Sequence, residues 1–193
     1  KYSIQLNENS SENFKENLKI INNQIKQIEK LVNEFSDFAR MPKPILSQNN
    51  LVDIIDDNIN LLKELDNSIV IDFKKQSDKV YLESDKEQIN RVFLNLIKNS
   101  IESIIQKGRK NNNFNKKITI ELIENDSHIF VVIEDTGVGF ENFKNNIKDI
   151  LNPYFTTKKN GTGLGLSIVN KIINDHNGKI EFIKIDNGAK IKL

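Results

Sequence analysis

The sequence predicts an α+β fold: a two-layer α/β sandwich, with a mixed sheet and helices on one face, preceded by a helical stalk. Three observations predict it. An unbroken heptad seam runs over residues 14–39. Beyond residue 50, segments of strand and helix periodicity follow one another without strict βαβ alternation. Two glycine-rich stretches, Glu134–Gly139 and Gly161–Leu166, stand where a strand ends and a helix begins. The 193 residues and 37% apolar content suit one domain with an appendage, or two small domains. A formal net charge of +1 supplies no global field for nucleic acid or an acidic membrane. The lack of cysteine excludes disulfides, thiolate catalysis and cysteine-ligated metals. No apolar run approaches the roughly 18 residues of a membrane span. Lys1 in place of Met suggests a piece of a longer protein.

In chain order, residues 1–9 read as polar and irregular, with Ser10 and Ser11 as N-caps of the first helix. Its seam is Phe14, Leu18, Ile21, Ile25, Ile28, Val32, Phe35 and Ala39. Leu31 and Phe38 widen it toward a four-helix bundle. The same stripe would also serve a helix packed on its own domain. Met41-Pro42-Lys43-Pro44 ends the helix, because a residue before proline is driven out of the helical region. We therefore expect a stalk over 1–42 and a second domain over 43–193. Residues 51–65 carry a helical face that includes Asn58, and 69–73 and 80–82 read as short strands. Ser84 at the N-cap and Glu87 at N3 form a capping box for a helix over 86–106. A polar turn at 108–117 leads to a hairpin of 118–123 and 129–133 around Asn125-Asp126. A long segment, 140–160, precedes a helix over 164–176 and strands at 179–183 and 189–193.

Asn95, Lys98 and Asn99 lie three and four residues apart, on one helical face. Two amides and an ammonium together can hold a hard cation through oxygen and neutralise phosphate; a solvated face is the plainer alternative. Asp135 follows a strand and precedes Gly137 and Gly139, which let backbone approach a planar ring while the carboxylate accepts from an exocyclic amine. A calcium loop is disfavoured, since Thr136, Val138 and Phe140 offer no alternating ligands. Gly161-Thr162-Gly163-Leu164-Gly165 opens a helix whose free N–H groups suit an anion. It is not a P-loop, because no Gly-Lys-Ser/Thr follows. Residues 153–158 read as a lid, anchored by Phe155 with Lys158 reaching phosphate. His128 falls in a hairpin turn, and His176 suits a helix C-terminus.

Asn95-Leu96-Ile97-Lys98-Asn99, Asp135-x-Gly137-x-Gly139, Pro153–Lys158 and Gly161–Leu166 resemble, in order, the N, G1, F and G2 boxes of sensor histidine kinases. The resemblance covers residues 45–193 and implies a Bergerat ATP-binding fold using ATP and Mg²⁺. It implies that Asn99 ligates Mg²⁺ and that Asn95 and Lys98 are catalytic groups facing the phosphates. Asp135, Gly137 and Gly139 would take the adenine. Phe155, Thr156 and Lys158, with Gly161, Thr162, Gly163, Leu164, Gly165 and Leu166, would enclose the triphosphate. The stalk resembles the second helix of a dimerisation and histidine-phosphotransfer domain. Phe35–Pro44 is similar to NtrY-type nitrogen-regulation sensors.

One departure bears on mechanism: neither His128 nor His176 lies in an H box, so the phosphoacceptor is expected upstream of Lys1. This stretch alone should then bind ATP without phosphorylating itself. The resemblance further implies a response-regulator receiver domain and a homodimeric parent as partners. It implies no nucleic acid, no membrane contact within these residues and a cytoplasmic site, with any membrane anchor lying in the parent. Two alternatives stay open. An ATPase clamp of the same fold needs a glutamate base where Asn95 stands; a degenerate kinase would act only as an interaction module.

Overall fold

The computed structural model describes residues 2–109, 113–140, 147–158 and 161–193. Parts of the expected 108–117 turn and 140–160 lid segment lie outside them. The first helix, α1, runs Tyr2–Ala39, so the expected start at Ser10 and Ser11 is corrected. Nothing at those positions breaks a helix, and serine in a helix interior costs only about 0.5 kcal/mol relative to alanine. The heptad stripe faces outward, with Phe14 64% and Ile28 60% exposed. Phe38 and Met41 instead turn onto the core of the following residues.

A polar strand that periodicity did not suggest, β1 (Ser47–Asn50), pairs antiparallel with β3 (Tyr81–Ser84). Helix α2 (Leu51–Leu62) follows at once, and Asn50 Oδ1 caps it through the Val52 N–H. Buried Asn58 donates to Ile54 O and, at 2.6 Å, to Asn90 Oδ1, which satisfies a polar residue in the α2 interface. Helix α3 (Lys86–Gly108) is capped by Asp85, whose carboxylate accepts from Gln88 N–H at 3.1 Å. The expected Ser84 cap is therefore displaced by one residue. Ser84 is fully buried as the partner of Ser47 in β3, which leaves the next residue to cap. Gln88 does not reach back as in a capping box; its amide donates to Pro42 O. Asp85 also accepts from Ile45 N–H, so both sides of the 40–46 connection are stitched to the start of α3. Burial pushes the Asp85 carboxyl up, but the N–H groups of Ile45, Gln88 and Glu87 outweigh it and hold the group below its ordinary range.

The main sheet has the order β2-β4-β5-β7-β6, with β2 Val70–Lys75, β4 Lys117–Glu124, β5 Ile129–Asp135, β6 Glu181–Ile185 and β7 Gly188–Lys192. The β2–β4 pair is parallel and its connection carries α3; the other pairs are antiparallel. The hairpin turn lies where expected, with Asn125 Oδ1 accepting from Ser127 and His128 N–H. Ile118, Ile120, Leu122, Val131 and Ile133 alternate onto the helix side, where Val92, Leu96, Ile97, Ile104, Ile168 and Ile172 meet them. The opposite face is charged, with Lys74–Glu121, Lys117–Asp72 and Lys190–Glu134 pairs. This is the two-layer sandwich expected, helices on one face of a mixed sheet. Helix α4 (Gly165–Asp175) ends in a Schellman arrangement: Gly178 N–H reaches Ile173 O, Asn177 N–H reaches Asn174 O, and Asn177 sits at φ 60°. His176 accepts from Asp85 N–H through Nε2, while its Nδ1 faces Ile172 O, which joins the end of α4 to the start of α3.

Candidate functional site

Asp135 ends β5 at 5% exposure, directly beneath α3. Its Oδ1 accepts from Gly137 N–H at 2.8 Å, and the Ser100 hydroxyl and Ala189 N–H also donate to the carboxylate. Burial pushes its pKa from 3.8 to about 6, and those donors with the nearby Lys107 only partly offset it. The next turn is pressed against α3: a Cβ at Gly137 would stand 2.1 Å from Ser103 Oγ. That oxygen accepts from Val138 N–H at 3.0 Å, and Lys107 Nζ donates to Thr136 O. Gly139 lies against the Gly188 backbone. Asp135 and its glycines thus form a rigid floor, and the carboxylate is the acceptor on it.

A second line of α3 residues faces α4 and the lid. Asn95 donates to Arg91 O, which turns its Oδ1 toward Gly165, at 3.0 Å from where a Cβ would stand. Asn99 Oδ1 accepts from Lys158 Nζ at 2.8 Å, and the same ammonium pairs with Glu102. Lys98, between the two amides, is exposed, and its ammonium makes no hydrogen bond or ion pair among the described residues. Phe155 packs on the core as expected of an anchor. Thr156 Oγ1 accepts from Lys158 N–H, and Gly161 N–H donates to Lys158 O. Gly163 (φ 72°) passes so close to Tyr154 that a Cβ would meet its carbonyl carbon at 2.3 Å. Leu164 is fully buried and Leu166 partly so, anchoring α4. Since Leu164 gives α4 no side-chain N-cap, the helix presents N–H groups beside Asn95.

Residues 84–193 match the family model described as histidine kinase-, DNA gyrase B- and HSP90-like ATPase. The chain belongs to this ATPase family. The nucleotide-free catalytic domain of the histidine kinase ThkA is 30% identical with a TM-score of 0.65, over 77% of this chain and 93% of that domain. ThkA in complex with the response regulator protein TrrA aligns over 90% of this chain and 48% of that one, at 28% identity and TM-score 0.70. A sensor histidine kinase NtrY-like protein of Rickettsia prowazekii is 34% identical over 100% of this chain and 31% of its own length. Sporulation kinase E of Bacillus subtilis is 31% identical over 83% of this chain and 21% of its own. The chain thus spans a third or less of these curated relatives.

In this histidine-kinase-type ATPase, three contacts tie α1 to the residues that follow: one to a glycine loop, one to the 153–158 segment and one to α3. Glu34 pairs with the Thr162 hydroxyl, Phe35 stacks on Tyr154 with centroids 6.4 Å apart, and Asp37 meets Arg91 of α3 at 3.4 Å. Sequence reasoning missed Ser100, Glu102, Ser103 and Glu34. Glu102 follows Asn99 by three residues and Ser103 follows Ser100 by three, a readable helical spacing. Glu34 meets its partner 128 residues away, and no local pattern marks it. A cavity of about 650 Å³ between α2 and β2 is lined by Ile59, Lys63, Glu64, Asn67, Ile69 and Ile71. Its lining includes none of the residues above.

Proposed function

We propose that residues 43–193 are the catalytic, ATP-binding domain of a sensor histidine kinase, and residues 1–42 the last part of its dimerisation and phosphotransfer hairpin. The observation that carries this reading is the division of α3 into two lines. One line, Ser100 and Ser103, fixes a buried carboxylate. The other, Asn95 and Asn99, looks onto an open helix N-terminus and a lysine-bearing lid.

Asp135 would accept from the adenine amine, and its fixed N–H donors keep the acceptor in place. The N–H groups opening α4 and Lys158 suit the triphosphate charge. Among the described residues, no cluster of three or more His, Asp or Glu could hold a metal alone, so Mg²⁺ would arrive with the phosphates and use Asn99 Oδ1. The fit is supported by what meets that oxygen now, an ammonium. Bound Mg·ATP supplies the γ-phosphoryl group. Asn95 and Lys98 would orient and neutralise it for a histidine on the upstream helix, and a response-regulator aspartate would receive it next. The response regulator seen with ThkA supports that partner. The outward heptad stripe of α1 supports a homodimeric parent. No helix among the described residues is long and apolar enough to cross a membrane, and an ATP-dependent role would suit a cytoplasmic domain.

Calorimetric titration of ATP and GTP, with and without Mg²⁺, into this chain and Asp135→Asn tests the reading. Magnesium-enhanced binding of ATP alone, lost in the variant, is expected. No ATP binding to the unaltered chain overturns it.

A further inference from the structure

Lys158 and Glu102 are the lid and helix residues whose pairing the nucleotide reading leaves without a purpose. Asn99 and Glu102 sit one turn apart on α3, and an amide oxygen and a carboxylate converge on one lysine ammonium from the lid. An amide and a carboxylate oxygen are the donor types that a hard divalent cation selects. We propose that the Asn99–Glu102 pair is a cation-exchange site. Lys158 occupies it when nucleotide is absent and so draws the lid onto α3. The divalent ion that accompanies the nucleotide replaces the ammonium, and Glu102 is the positioning residue for both states. The inference rests on the nucleotide reading for the second cation, but not for the first.

Charge and geometry both favour an exchange. Removing the ammonium alone would leave Glu102 unneutralised beside the triphosphate, a repulsion that an incoming divalent ion cancels. The freed Lys158 then carries its charge to the phosphates. The pair is also weak enough to open, since its side chains are 34% and 39% exposed and a screened surface pair contributes little. Only the tip of the lid has to move. Phe155 N–H bonds Asn152 O and its ring packs on the core, so the anchor stays while Lys158 leaves. Nothing in the fold of α3 needs Glu102, which makes it separable by mutation.

The test uses the whole chain with Glu102→Gln and Lys158→Met. Without nucleotide, amide hydrogen exchange at Lys158 and Gly161, whose N–H groups bond Thr156 Oγ1 and Lys158 O, should speed about three- to tenfold in both variants, with α3 and the main sheet unchanged. In calorimetry, the gain in ATP affinity on adding Mg²⁺ should shrink about fivefold or more in Glu102→Gln, while affinity without Mg²⁺ holds or rises. A merely structural glutamate would lower both affinities together. Exchange equal to wild type overturns the closed lid, and an undiminished Mg²⁺ gain overturns the cation exchange. A wild-type chain that binds no ATP defeats the nucleotide reading instead, and the exchange measurement still decides whether Lys158 holds the lid.

Discussion

The two ends of the site are built from different materials. The Asp135 end is made of core: a strand terminus, a turn seated against Ser103, and donors from Ser100, Gly137 and Ala189. The lid end is made of long side chains meeting across surface: Lys158 on Asn99 and Glu102, Glu34 on Thr162, Phe35 on Tyr154. Under the proposed function, such a division would suit a base that is chosen once and phosphates that come and go. Choice is bought with stability, because a buried carboxylate is held ionised against its desolvation.

The sharpest way to break the comparison is Asp135→Asn, for which ATP affinity should fall at least about 100-fold, close to 3 kcal/mol. The same residue sets a pH signature. Its folded pKa of about 6 lies above the ordinary 3.8. Between these values the folded chain binds the extra proton, so the contribution is fully present below about pH 4 and is lost as pH rises through 6. The shift corresponds to about 3 kcal/mol. Denaturant melts of wild type and Asp135→Asn across pH 4–7 should diverge by a difference of that sign. ATP affinity of the wild type should fall as pH drops through about 6, where the acceptor is protonated.

Gly137→Ala places a methyl group against Ser103 and should cost about 1–3 kcal/mol in a urea melt. Asp85→Ala removes the α3 cap and the Ile45 tether, for about 1 kcal/mol. At the lid end, Asp37→Ala should leave the melt within about 0.5 kcal/mol of wild type, since its pair with Arg91 is exposed. A loss above 1 kcal/mol there would show that α1 contributes to the stability of the residues it packs on.

The same contrast explains what could be read in advance. Helices with a long apolar face, α2, α3 and α4, were legible, as were the strands that alternate onto the core. The Asp135 end was legible because its glycines and carboxylate are neighbours in the chain. Strand β1 was not, since Ser47-Gln48-Asn49-Asn50 has no apolar alternation and pairs only with β3. The cap of α3 slipped by one residue because Ser84 and Asp85 are both good caps, and only tertiary burial decides between them. The lid contacts were illegible for a plainer reason: Lys158 and Glu102 are 56 residues apart, and either could have faced solvent.

Strand β7 lies inside the sheet, between β5 and β6. Its Ala189 is registered with Asp135 and gives that carboxylate one of its donors. Chains are synthesised from the N-terminus, so Ser100, Asp135 and Gly137 exist well before their partner strand. Until residues 188–193 have left the ribosome, β6 has no neighbour and the Asp135 pocket lacks a wall. A nascent chain therefore carries every glycine motif before the Asp135 carboxylate has its full set of donors.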